Sequence, residues 1–234
     1  MSLVAGRGPI SADPLGWFVP PLAAEVVFVE PHPRRVRGIR AGHAVIDTEA
    51  VLLVHRRGHP LGYAFRSDEV GDLPTQPLPE AAGFVTVPWT AVDAWYEEGR
   101  RLVHYPPNPY HRVDCRPTRR RLRVSVGEVV LVDTDETVIL FETSLEPRLY
   151  VSPAHVRTEV LAPSSTTSYC NYKGTAAYWS LAGEGRSTAD IAWSYPDPLP
   201  ESAGIAGHLS FDATKVDVVA DLPSGVSAPP CGCG

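Results

Sequence analysis

Arg121-Leu122-Arg123-Val124-Ser125-Val126-Gly127-Glu128-Val129-Val130-Leu131-Val132-Asp133-Thr134 places apolar side chains at 122, 124 and 126, turns at Gly127-Glu128, and resumes with a second apolar run. Period-two alternation on both sides of a glycine turn specifies an antiparallel hairpin with one buried face. The stretch has a counterpart 86 residues earlier. Pro31-x-x-Arg34-Arg35-Val36-Arg37 matches Pro117-x-x-Arg120-Arg121-Leu122-Arg123, and Val45-Ile46-Asp47-Thr48 matches Leu131-Val132-Asp133-Thr134. Val51 to Val54, Tyr63-Ala64-Phe65 and Val70 match Thr137 to Leu140, Leu149-Tyr150-Val151 and Val156 at the same spacing. A fixed spacing held over forty positions predicts two copies of one β unit, with the first turn at Ala41-Gly42. The arginine set of each copy reads as a solvent-facing strand surface.

Working outward, Val92-Asp93-Ala94-Trp95 matches Val216-Asp217-Val218-Val219 at a separation of 124. The first copy is therefore expected to lack 38 residues that the second keeps. The predicted layout is an N-terminal extension at 1–30 with an edge strand near Val26 to Val29, and a truncated first copy at 31–98. A connector follows at 99–116, then a complete second copy at 117–221 and a disordered tail at 222–234. Pro106-Pro107-Asn108-Pro109-Tyr110-His111 is stiffened by its prolines and reads as a docked connector.

The residues present only in the second copy are the densest chemistry in the chain. Ser165 to Leu181 holds Tyr169, Cys170, Tyr172, Lys173, Tyr178 and Trp179, and reads as two strands joined across Lys173-Gly174. Trp193-Ser194-Tyr195 follows, ahead of a proline-rich turn. Cys170 is a candidate nucleophile with Lys173 as its activating cation, because a nearby ammonium raises the thiolate fraction. The alternative for Cys170 is a small buried hydrophobe, and for Lys173 the top of a turn. Tyr169, Tyr172, Trp179, Trp193 and Tyr195 are candidate walls of an aromatic pocket, or plain core. Glu142 and Asp190 are candidates to pair with Lys173 or to act as a base. His155 and His208 are distant from the motif.

Composition sets the bounds. Of 234 residues 44% are hydrophobic, enough for a sizeable core, and 27 acidic against 21 basic side chains leave a net charge of −6. That balance gives nucleic acid or an anionic membrane no general reason to bind. Arginine outnumbers lysine 19 to 2, so a lysine inside the dense motif stands out. Four cysteines (115, 170, 231 and 233) form no repeated C-x-x-C pair. Neither a zinc site nor a disulfide framework is indicated, no metal or cofactor is expected, and a reducing cytoplasm is the default. Cys231 and Cys233 could chelate a soft metal or form a redox pair. Pro20, Pro21 and Glu25 interrupt the N-terminal apolar run, which reads as neither signal peptide nor membrane span.

Thr167 to Gly174 and Ala192-Trp193-Ser194-Tyr195-Pro196-Asp197-Pro198, with Asp133-Thr134 and Glu142-Thr143, resemble the family called domain of unknown function 427. That family also carries a nucleotidyltransferase-like label. The resemblance covers about 117–221 and, in truncated form, 31–98, and Pro109 to Asp114 is similar to the connector of its tandem members. It implies an all-β protein of tandem β-tent domains, two small antiparallel sheets meeting at a steep angle. No phosphate-cradling glycine loop or paired metal-binding carboxylates accompany the nucleotidyltransferase label. Three functions follow as expectations: a small-molecule-binding module anchored by Lys173, a cofactor-independent enzyme using Cys170, or a structural or assembly protein. The ligand and the oligomeric state are not readable from these residues.

Overall fold

The computed structural model describes residues 7–182 and 189–224. The Cys231/Cys233 pair and most of the expected tail lie outside the described residues. The described chain is all-β, with antiparallel sheets and short 3-10 turns. It divides into two compact units, 1–111 and 112–234.

The first unit contains β1 (Val27–His32), β2 (Val36–Arg40), β3 (His43–Thr48), β4 (Val51–Arg56), β5 (Gly62–Arg66), β6 (Gln76–Pro77), β7 (Phe84–Thr86), β8 (Ala94–Glu97) and β9 (Arg100–Leu102). They form a five-stranded sheet in the order β1-β4-β5-β7-β6 and a four-stranded sheet in the order β3-β2-β8-β9. Val36, Ile46 and Trp95 from one sheet and Leu53, Tyr63 and Phe65 from the other share one apolar core. Trp95 stacks on Phe65 with ring centroids 5.7 Å apart, and its indole N–H donates to the Trp89 carbonyl at 2.8 Å. The expected boundary at 30/31 falls inside β1, which pairs with β4 along its whole length as an edge strand. Tyr110, in the expected connector, lies within the first unit and donates to Glu30 Oε2 at 2.5 Å.

The second unit contains β10 (Val113–Thr118), β11 (Leu122–Val126), β12 (Val129–Thr134), β13 (Thr137–Glu142), β14 (Arg148–Val151), β15 (Leu161–Cys170), β16 (Gly174–Leu181), β17 (Ala192–Ser194), β18 (Leu209–Phe211) and β19 (Asp217–Ala220). The larger sheet runs β10-β13-β14-β18-β17-β16-β15 and the smaller β12-β11-β19. The expected connector end at 116/117 falls inside β10, which is part of the larger sheet. Leu122, Val124 and Leu131 from the small sheet meet Ile139, Leu149, Val151, Ala192 and Phe211 from the large one in the core.

The hairpins at 36–48 and 122–134 share a detail. Each has one register shift, between Gly38 and Ile39 and between Val124 and Ser125, positions again 86 apart. Arg35 grips Asp47 through two hydrogen bonds of 2.6 Å, and Arg121 grips Asp133 at 2.9 and 3.0 Å. The closing strands correct the expected alignment by one residue. Trp95 lies opposite Gly38, whereas Val218 lies opposite Val124, so Trp95 matches Val218 and not Val219. These register-matched residues are 123 apart, against the 124 expected from the sequence. Side-chain alternation explains the correction, because Trp95 is buried and Val219 is exposed.

Candidate functional site

Alternation along the large sheet of the second unit separates two faces. Ile139, Leu149, Val151, Trp179 and Ala192 point to the core between the sheets. Leu140, Tyr150, Ala176, Tyr178, Trp193 and Tyr195 belong to a second apolar cluster on the other face, together with Val113 and Ile205. The cross-strand partners obey the same rule, since Tyr178 lies opposite Trp193 and Trp179 opposite Ala192. A hollow of about 550 Å³ opens on this second face.

The β15–β16 turn places Lys173. Gly174 has φ +95°, a conformation that costs an L side chain dearly, and a Cβ there would sit 3.4 Å from the Asp197 carbonyl oxygen. The following loop clamps the turn: the Leu199 N–H donates to the Lys173 carbonyl at 3.1 Å, and the Ser202 hydroxyl to the Tyr172 carbonyl at 3.3 Å. Held in this way, the Lys173 ammonium donates to Glu142 Oε2, at the end of β13. Both side chains are about nine-tenths buried, and both line the hollow.

Trp193, Tyr195, Tyr178 and Tyr150 supply the aromatic lining, with Leu140 and Leu145. The Trp193 indole N–H donates to the Tyr150 hydroxyl at 3.2 Å, and the Arg148 guanidinium sits 4.9 Å from the centre of its ring. Burial holds the Tyr150 and Tyr195 phenols far above their ordinary value, so both remain protonated. Asp190 also lines the hollow; hydrogen bonds from Ser164 and Thr166 outweigh its desolvation and keep its pKa low. It does not bond to Lys173. Lys215 donates to the Asp190 backbone carbonyl at 3.1 Å, and the Asp190 Oδ1 atom is buried without a hydrogen-bond partner.

Of the residues singled out from sequence, Lys173, Glu142, Tyr178, Asp190, Trp193 and Tyr195 come together here, and of the two acidic candidates it is Glu142 that pairs with Lys173. Trp179 faces the opposite way, into the core, with its indole N–H on the Ser194 hydroxyl at 3.3 Å. Tyr172 and Cys170 pack against the apolar cluster and do not line the hollow, and neither does Tyr169. Cys115 shares that cluster; burial and the Asp114 carboxylate push its thiol up, against the pull of Lys173. Sequence reading missed Arg148, Tyr150, Asp212 and Lys215. The strand phase of Tyr150, opposite to that of Leu149 and Val151, is the one signal that could have found it.

A second polar constellation, also missed, lies in the first unit. Glu97 accepts from Tyr63 at 2.5 Å and from Arg34 at 2.7 Å, and is bonded to His32 Nε2 at 2.8 Å. All but Arg34 are at most 5% exposed. Burial alone would raise the Glu97 carboxyl, but His32, Tyr63 and Arg34 together pull it down to about 2. A glutamate in phase with buried Trp95 was the available clue.

Among the described residues no three His, Cys, Asp or Glu side chains gather to hold a metal ion, and no helix is long and apolar enough to cross a membrane. The fold and the hollow define an all-β protein with a lined concavity on the outer face of its larger sheet. Residues 114–222 match the family described as Domain of unknown function (DUF427), and this segment is a domain of that family. No curated protein matches the chain.

Proposed function

We propose that the second unit binds a small planar molecule in the hollow, with Lys173 donating to an acceptor on the ligand and Trp193 and Tyr195 forming its walls. The observation that supports this is the convergence of a nearly buried ammonium with four aromatic rings on one concavity. Pockets of roughly 300–1,000 Å³ with apolar walls and few polar groups are where small ligands bind. An ammonium has three protons and Glu142 takes one, so donors remain for a ligand. Nothing comparable supports the alternative of Cys170 as nucleophile, since that thiol does not line the hollow. The partner in this reading is a small molecule rather than nucleic acid, as the acid excess suggests, and the setting is cytoplasmic, as the absence of a disulfide pattern in the sequence suggests.

The same reading treats the two units as copies of one β-tent unit. The shared register shift, the paired Arg–Asp grips and the 86-residue spacing support it. In the first copy the face equivalent to the hollow carries Val54 and Ala64, covered by Leu78, Ala81 and Phe84. Ala64 stands where the second copy has Tyr150, Gly62 where it has Arg148, and Arg56 where it has Glu142. Binding therefore belongs to the second copy alone.

A thermal-shift screen of planar carbonyl compounds on the intact chain tests the proposal. Compounds that stabilise the wild type should lose that effect in both Lys173→Ala and Trp193→Ala. Equal stabilisation of all three proteins would count against the hollow.

A further inference from the structure

The small sheet of the second unit ends in a strand whose outer side is open, and the first unit shows what such a side accepts. Trp95 of β8 and Val218 of β19 hold the same register, opposite Gly38 and Val124. On its other side β8 is covered by β9, with Leu102 opposite Trp95, Arg101 opposite Tyr96 and Arg100 opposite Glu97. β19 is the last strand of its sheet, and among the described residues no strand pairs with its outer side. We infer that this edge takes an extended peptide of a partner protein as a fourth strand, with a basic residue opposite Val219 and an apolar one opposite Val218.

Backbone direction fixes which groups are on offer. The Asp221 N–H donates to the Arg121 carbonyl at 2.9 Å, so Asp217 and Val219, two and four positions back, also turn their N–H and C=O toward β11. Alternation then turns those of Val218 and Ala220 to the open side, where an antiparallel strand exchanges hydrogen bonds with both. The chain's next turn does not supply that strand. In the first unit Glu98, at φ +48°, and Gly99 lead straight into β9. At the same offset of 123 the second unit has Asp221-Leu222 and then Pro223 in place of Arg100. Proline has no N–H to give Ala220.

Side chains set the chemistry of the occupant. Val218 packs against the core, while Val219 is 68% exposed. The residue opposite Val218 shares its inner face, where Leu102 of the first unit is buried, and is therefore apolar. The residue opposite Val219 points outward with Asp217 and Asp221 as its diagonal neighbours, within reach of a long side chain. Both aspartates are exposed. Arg121 and Arg123 turn to Asp133 on β12, across β11 from the open side, and Arg120 reaches Asp221 only at 3.4 Å. A cation opposite Val219 thus meets a carboxylate on each diagonal. The face beside the edge is uncovered, forming a groove of about 440 Å³ lined by Arg121, Arg123, Val219, Ala220 and Asp221. A second copy offers the wrong charge, since β19 laid antiparallel on β19 sets aspartate beside aspartate.

Fluorescence anisotropy of a labelled peptide with the sequence of residues 99–105, titrated with the full chain, tests the proposal. Paired as β9 is, the peptide aims its Leu102 N–H at β19 and its Arg101 N–H at solvent. Methylating the first nitrogen should weaken binding by about tenfold or more, and methylating the second should change it little. Asp217→Lys/Asp221→Lys in the protein should weaken the unmodified peptide by about tenfold and favour the peptide carrying Arg101→Glu. Equal effects of the two methyl groups overturn strand addition, as does absence of binding at about 1 mM protein. Tighter binding of a peptide of residues 225–234 assigns the edge to the chain's own tail. A dimer in light scattering that Val219→Lys dissociates assigns it to a second copy, and either result overturns the partner peptide.

Discussion

Lys173 and Glu142, 31 positions apart in the chain, meet as an ion pair in which neither side chain is more than 10% exposed. Removing one partner of a buried ion pair costs more than the pair itself contributes, because the remaining charge keeps its desolvation and loses its counter-charge. Lys173→Met alone should therefore cost roughly 3 kcal/mol, and Glu142→Leu alone a similar amount. The double substitution should recover most of the loss. Urea denaturation of the four proteins closes the cycle; additive losses would mean that the pair is solvated in solution.

The first unit carries its buried charge differently. Glu97 falls from the ordinary 4.5 to about 2 because the bonds from His32, Tyr63 and Arg34 overcome its desolvation. The folded value lies below the unfolded one, so the carboxylate stabilises the fold above pH 4.5 and that contribution disappears as pH falls toward 2. Its size is about 3 kcal/mol. Burial, only partly offset by Glu30, also lowers the His55 pKa. Its neutral form is thus favoured on folding, and stability begins to fall once the pH drops below the ordinary histidine value of 6.5. Thermal melts across the acid range should show both losses, and Glu97→Gln should flatten the lower one. An unchanged slope in that variant would remove Glu97 from the account.

The thiols should separate by position. Cys115 has its pKa raised by burial and by Asp114, so at neutral pH little thiolate forms and alkylation should be slower than for a free peptide thiol. Peptide mapping after timed iodoacetamide treatment resolves Cys115 from Cys170 and from the two tail cysteines. A Cys170 that reacts fastest of the four, with an inflection below neutral pH, would restore the nucleophile reading.

How far such features can be read before folding depends on range. Alternation and a glycine turn are local, so the hairpin at 122–134 was legible, as was its likeness to 36–48. The strand end carrying Lys173 was legible for the same reason. The partners of Glu97 lie 34 to 65 positions away, and no periodicity links them. Parity was the other loss. The β15–β16 pairing contains a register shift between Pro163 and Thr167, and counting along the chain does not tell which of two successive aromatic rings faces the core. Trp179 and Tyr178 could be exchanged in that count, and the closing strand slipped by one residue for the same reason.

Parity also yields the sharpest contrast between neighbouring tryptophans. Trp179 packs against the core shared by the two sheets, whereas Trp193, one strand over, lines the hollow beneath Arg148. Removing the first ring leaves a void among Leu181, Leu161 and their neighbours, and Trp179→Ala should cost about 2 kcal/mol or more. Its effect on ligand affinity should be small. Trp193→Ala removes a wall and the seat of a guanidinium at a site already open to water. It should cost less stability and abolish binding of the planar carbonyl compounds that stabilise the wild type. Urea midpoints read the first quantity and calorimetry the second. If both substitutions weaken binding equally, the two rings share one environment and the assignment of opposite faces fails.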